Sequence, residues 1–297
     1  QYGYYIYDSG DVGYEHTPVY NWIEIDPTYG GAGTALNIDD YGDGCAENQT
    51  WWCNNYIESE HVELPFSFQF YGVEYNEITI SSNGWIAFGN SEMESFRNYP
   101  IPGAGGPTAM VAAFWDDLKT TSGGDVLFYA DPGNDYFIIE WSDMRTYASN
   151  SWEDFQIILY NNPVPPFGDG EIKIQYKTFN NTSAGNYSAY PPIHGGYATI
   201  GTENQYANDG LQYTYDNEYP AAGMELDDGD AILITTNPAI SMPMPSLSYT
   251  PTSVDFQLNP DETGSSEMVI TNVGDEGSIL EYAVSKEGLP PFDVIGG

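Results

Sequence analysis

The sequence predicts an all-β protein, a large jelly-roll-like antiparallel sandwich followed by a short immunoglobulin-like β-sandwich segment. Three observations carry this. The 297 residues include 26 Tyr, 32 Gly and 20 Pro, a composition that suits half-buried pleated surfaces and tight turns rather than helices. Apolar residues alternate with polar ones in short runs, the period of a sheet with one face in a core. Turn signals interrupt those runs at roughly ten-residue spacing, as in sandwiches and barrels.

The elements follow in order. Tyr2 to Tyr7 opens the chain as an aromatic, strand-like start. Phe66, Phe68 and Phe70 alternate with Ser67 and Gln69, and NEITISSNGWIAFG places two strands around Asn83-Gly84, a dipeptide whose permissive backbone suits a hairpin turn. MVAAFWDD is an unbroken apolar run ending at Asp116 and Asp117, expected as a strand buried on both faces, or one passing between the sheets, near the middle of the core. DVLFYADPGNDYFIIEW repeats the hairpin form, with Val126, Phe128 and Ala130 before the turn Asp131 to Asp135 and Phe137, Ile139 and Trp141 after it. DFQIILY, EIKIQYKTF, YATIG, LQYTYD and DAILITT continue the series up to Thr236. With no helical crossovers, such strands bury their apolar faces most simply as two packed sheets; a closed barrel is the alternative.

Residues 1–237 are therefore expected to form the large module. Residues 238–250, within NPAISMPMPSLSYTP, read as a connector stiffened by proline. Residues 251–297 then form a partial immunoglobulin-like module, in which Val254, Phe256 and Leu258 alternate with Asp255 and Gln257 before SEMVITN and LEYAVS. A sandwich of that kind uses about seven strands in about 100 residues. The segment is expected to be completed by chain beyond Gly297 or by a strand from another chain, where main-chain hydrogen bonds supply affinity.

Six Lys+Arg against 44 Asp+Glu leave a formal charge of −38. Such a surface repels phosphate backbones and anionic lipid, which excludes nucleic acid as a partner. No apolar stretch approaches the roughly 18 to 20 residues needed to cross a bilayer, so no membrane insertion is expected. The surplus carboxylates call for salt or bound metal, which points to an extracellular or cell-surface location. Cys45 and Cys53 lack the C-x-x-C spacing of a zinc or redox site and read as a local disulfide, with two buried or surface thiols as the alternative. Closing so short a loop is worth about 2 to 3 kcal/mol in the chain-entropy picture.

LPFSFQFYGVEYNEITISSNGWIAFG, MVAAFWDDL and the GDVLFYADPGNDYFIIEW hairpin together resemble a non-catalytic β-module of large secreted bacterial proteins, often found downstream of a protease domain. The segments Phe68 to Gly72, Ser81 to Gly84 and Phe114 to Leu118 carry the likeness, which spans about residues 1–236. The tail, with LSYTPTSVDF and ITNVGD, is similar to the immunoglobulin-like repeats that follow such modules. The resemblance implies an accessory or structural role outside the cell and carries over no catalytic residue.

Calcium is the metal that the chemistry favours, because it needs six to eight oxygens and clustered carboxylates on Gly-rich loops supply them. Asp39, Asp40 and Asp43 in NIDDYGDG, with Asp116 and Asp117, are the candidate ligands; the EF-hand spacing is absent. Asp131, Asp135 and the DDGD turn at Asp227, Asp228 and Asp230 read as solvated turns. Sugar binding is the rival function: exposed rings stack on sugars, and Trp51, Trp52, Tyr187 and Tyr190 lie in loop-like segments. Trp51 and Trp52 have an alternative use in packing on the disulfide. Asn48, Asn180, Asn181 and Asn186 each start an N-x-[ST] triplet, a glycosylation acceptor when exposed.

The inventory for catalysis is thin. His16, His61 and His194 lie in neither H-E-x-x-H nor G-x-S-x-G contexts. The nearest paired acids are Glu24 with Asp26 and Glu140 with Asp143, which lack a sandwich glycosidase's pattern and are expected to face solvent. The expectation is a non-enzymatic extracellular structural protein, a homo-oligomer or filament subunit whose tail docks on a neighbour. A carbohydrate-binding accessory module of a secreted hydrolase is the alternative.

Overall fold

The computed structural model describes residues 2–42, 57–121, 123–182, 195–238, 245–276, 278–280 and 282. The chain divides into two compact units, Gln1–Val12 with His16–Ala239, and Gly13–Glu15 with Ile240–Gly297. In chain order the strands of the first unit are β1 (Tyr5–Asp8), β2 (Thr34–Ala35), β3 (Ser59–Phe70), β4 (Val73–Ser81), β5 (Trp85–Phe88), β6 (Met110–Trp115) and β7 (Leu118–Lys119). They continue as β8 (Asp125–Ala130), β9 (Tyr136–Thr146), β10 (Trp152–Tyr160), β11 (Ile172–Phe179), β12 (Thr199–Glu203), β13 (Gly210–Thr214) and β14 (Ala231–Thr235). The second unit contributes β15 (Leu247–Thr250) and β16 (Val269–Asn272), an antiparallel pair.

Two antiparallel sheets make the sandwich. One runs β1-β14-β11-β10-β9-β8-β2, with β7 also on β9; the other runs β13-β12-β6-β5-β4-β3. The hairpins that the turn residues predict are present: β4 and β5 pair around Asn83-Gly84, and β8 and β9 pair with Ala130 opposite Phe137. Between the sheets lie Phe68, Phe70, Phe114, Trp141, Phe155, Ile157 and Tyr176. Trp141 stacks on Phe155 at 4.9 Å and Phe155 on Phe114 at 5.5 Å. Their polar neighbours bond across the sandwich, with Trp141 Nε1 donating to the Ser81 carbonyl (2.8 Å) and Tyr176 Oη to that of Ala113 (2.8 Å). Both donors would otherwise be orphaned in a dry core.

The outer faces are covered too, which explains the apolar runs that do not alternate. On the six-stranded sheet, Trp85, Ala87, Met110, Ala112 and Trp115 pack under Ile101 and Tyr99 of the β5–β6 connection. Both indoles donate to the Ser95 carbonyl, at 3.0 and 2.9 Å, and pin that connection down. Every residue of β6 is buried, as the sequence predicts. On the eight-stranded sheet, Leu127, Ile138 and Ile158 pack under Ile25, with Ile23 beside them.

In the second unit the arrangement differs from the sequence reading. Leu247–Thr250, which composition places in the connector, is a strand, while Val254, Phe256 and Leu258 are exposed and belong to no strand. Most of LEYAVS lies outside the described residues.

Candidate functional site

Residues 19–26 cross the outer face of the eight-stranded sheet as a strap, held by a row of polar side chains that the pleat directs outward. Gln175, Gln156 and Glu140 are register partners on β11, β10 and β9. Lys173 Nζ donates to the Val19 carbonyl (2.6 Å). Gln175 accepts from the Asn21 amide (3.0 Å) and donates to the Asn21 carbonyl (2.9 Å). Gln156 donates to the Ile23 carbonyl (2.6 Å), and Glu140 Oε2 accepts from the Ile25 amide (3.3 Å) and from Gln156. Ser142 Oγ closes the row by donating to Asp26 Oδ2 (2.8 Å). The spacing of two along the strap lets alternate residues of an extended segment meet three strands in turn.

The β-ladder is irregular just beyond this row. Just before Phe155 the register slips on both sides, between Asp154 and Phe155 against β11 and between Glu153 and Phe155 against β9. Asp143 occupies the left-handed region (φ 50) there, its amide donating to Asp154 Oδ1 (2.8 Å) and its carboxylate accepting from Tyr29 Oη. Bulges of this kind re-aim side chains next to functional and structural sites alike.

The electrostatics separate the acids. Glu140 is fully buried, and burial, aided by the neighbouring charge of Glu24, pushes its carboxyl up to about 8. Its second oxygen, Oε1, accepts no hydrogen bond, while the Glu140 carboxyl shares a proton with the neighbouring Glu24 carboxylate. Burial also acts on Glu24, but the Asp26 amide and Lys177 outweigh it and hold Glu24 below its usual range. Lys177 Nζ lies 3.2 Å from Glu24 Oε2 and faces the rings of Trp22 and Tyr29. Asp26 is likewise lowered: burial is outweighed by the Thr28 amide and Ser142. A neutral acid beside an ionised one is the electronic form of an acid–base pair, yet Glu140 presents no surface to solvent. Its neighbours belong to this chain.

The two acid pairs singled out in the sequence thus meet here, and the expectation that they face solvent is corrected for Asp26 and Glu140, which the strap buries. Gln156, Lys173 and Gln175 were missed as site residues. Their alternation marks them as outward-facing, but nothing local announces a segment arriving from 130 or more residues away.

Of the candidate metal ligands, Asp39 is exposed and its amide donates to the Ile57 carbonyl (2.9 Å). Asp40 is buried, accepts from Ser82 Oγ (2.6 Å) and the Gly42 amide (2.6 Å), and is pushed by burial up to about 6. Asp116 and Asp117 are buried; Asp116 accepts from the Asp117 amide (2.8 Å), leaves Oδ2 without a partner, and is raised by burial. Among the described residues no three His, Cys, Asp or Glu side chains are grouped to hold a metal ion. Asp43, Cys45, Asn48, Trp51, Trp52, Cys53, Asn186, Tyr187, Tyr190 and His194 lie outside the described residues. Asn180 is exposed and donates to the Trp152 carbonyl (2.6 Å), whereas Asn181 is buried and accepts from the Ala198 amide (2.9 Å).

A groove of about 550 Å³ lies between β1 and β13, lined by Tyr4, Ile6, Leu211 and Tyr213 with Asp8. The Asp8 carboxylate already accepts from Gly10, Tyr213 and Met224, which makes it a brace between edges.

A family model described as NIDO related matches residues 47–239. No curated protein and no solved structure matches the chain. Among the described residues no helix is long and apolar enough to cross a membrane.

Proposed function

Because the chain belongs to the NIDO-related family, whose domains are typical of extracellular proteins, we propose that it is a non-enzymatic extracellular structural protein. It serves as a subunit of a surface assembly or fibre, with the tail docking on a neighbouring copy. The observation that carries this reading is the row Val254, Phe256 and Leu258, alternating with polar residues, exposed and outside any strand. Such a segment is suited to adding a strand to a sheet edge, where backbone groups wait unpaired. The likeness to modules of secreted bacterial proteins with an immunoglobulin-like repeat behind them supports the same reading. So does the burial of Glu140 and Asp26 in hydrogen bonds that hold the fold.

Light scattering on the full chain, wild type against Phe256→Asp, tests it. Association in the wild type that the substitution abolishes supports the reading; equal masses for both overturn it.

A carbohydrate-binding accessory role is the second reading. It is favoured by the Tyr20 and Trp22 rings, 6.5 Å apart and inclined at only 27°, both partly exposed on the strap. A glycan array with wild type and Trp22→Ala discriminates: a signal lost on substitution favours sugar binding, and an empty array removes it.

A further inference from the structure

The strap is attached to the sheet by side chains rather than by a β-ladder, and its rungs differ in one respect. Gln156 and Gln175 do not titrate. Lys173 donates to the Val19 carbonyl, and burial lowers its pKa. Asp26 is held ionised by the Thr28 amide and Ser142 against the effect of burial. Glu140 alone in the row is a carboxyl held neutral, and it bonds the amide of Ile25, the residue that plugs the apolar patch of Leu127, Ile138 and Ile158.

We propose that residues 19–26 form a pH-operated strap, latched over the outer face of the eight-stranded sheet while Glu140 is protonated and released when Glu140 ionises. A neutral carboxyl fits its surroundings: Oε2 accepts from Ile25 and Gln156, and the Glu140 proton is shared with the neighbouring Glu24 carboxylate. Ionisation puts a charge where the nearest cation, Lys177, feels it only at a distance and is already paired with Glu24 at 3.2 Å. A buried charge left unpaired is among the most costly features a fold can carry. The groups around the latch favour the same outcome. The strap brings Glu24 and Asp26, β10 brings Asp154, β9 itself brings Asp143, and β8 brings Asp125, which acts on Asp26; Lys177 and Lys173 of β11 are the cations.

Loosening the strap is the cheapest relief, since water then reaches Glu140 while the inter-sheet core stays closed. The cost is exposure of Leu127, Ile138 and Ile158, so release uncovers an apolar patch bordered by the partly buried Tyr129, Tyr136 and Tyr160. The inference does not depend on the tail or on self-association.

Hydrogen exchange of the full chain, read by mass spectrometry and corrected for intrinsic rates, tests the latch. Protection of peptides covering Asn21 and Ile25 is expected to fall at least about tenfold between about pH 6 and about pH 9, a change of about 1.4 kcal/mol or more. Peptides from β6 should keep their protection. Glu140→Gln, which keeps the neutral shape, should flatten the response of the strap. Glu24→Gln, which removes the neighbouring charge that helps hold Glu140 neutral, should move the loss to lower pH and serves if Glu140→Gln does not fold. A strap whose protection does not change with pH in the wild type, or which responds equally in Glu140→Gln, overturns the proposal.

Discussion

Gly84 marks the point where a single residue limits the sandwich. Its φ of 74 lies in the left-handed region, and its carbonyl accepts from the amides of both Ala113 and Phe114. A Cβ there would sit 1.9 Å from the Phe114 carbonyl oxygen, a backbone atom that cannot step aside. Gly84→Ala is therefore expected to cost about 3 kcal/mol, at the upper end of ordinary point substitutions. Urea denaturation checks it, and a loss under about 1 kcal/mol would show that the turn relaxes. Asn83-Gly84 was legible in the sequence because turn chemistry is local. The fate of Glu140 was not. Its position after Ile138 and Ile139 fixes which strand carries it, whereas its burial is decided by residues 19–26.

The same limit holds for whole elements. The hairpins β4–β5 and β8–β9 and the doubly buried β6 could be read because periodicity and run length report how a strand meets its surroundings. The two outer coverings, residues 19–26 and the β5–β6 connection, have no period of their own. Both are held by side chains reaching irregular backbone: the polar row on one face, and Trp85 and Trp115 sharing the Ser95 carbonyl on the other. Alternation marks Gln156 and Gln175 as outward-facing but cannot say that a strap covers that side. In the second unit, β15 escaped notice because the prolines around it mimic a linker. Trp115→Phe removes one of the two bonds to Ser95 while keeping most of the apolar volume, and should cost about 1 kcal/mol. Limited proteolysis should then cut within residues 95–106 faster than in the wild type; unchanged cleavage would mean that Trp85 alone suffices.

Across the whole molecule, acidity is both surface and structure. Burial raises Asp40 to about 6, Glu153 and Glu203 to about 7, and Glu140 to about 8. Each is a carboxyl whose pKa is higher folded than unfolded. Its contribution is complete below the unfolded value and is lost as pH rises towards the folded one. Repulsion within a chain of charge −38 works in the same direction. The melting temperature is thus expected to fall steadily from about pH 5 to about pH 8, followed by calorimetry; a maximum near neutrality would contradict the burial of these acids. Calcium on the acidic loops, as the sequence leads one to expect, would stabilise the native state by mass action, so a chelator should lower the melting temperature; an unchanged value would remove calcium as a ligand. The proposed work of this protein is contact between copies outside the cell. Sedimentation velocity of the full chain over a wide concentration range, in physiological salt with calcium present, measures that contact directly. Larger species should grow in with concentration, and a lone monomer boundary at every concentration would contradict it.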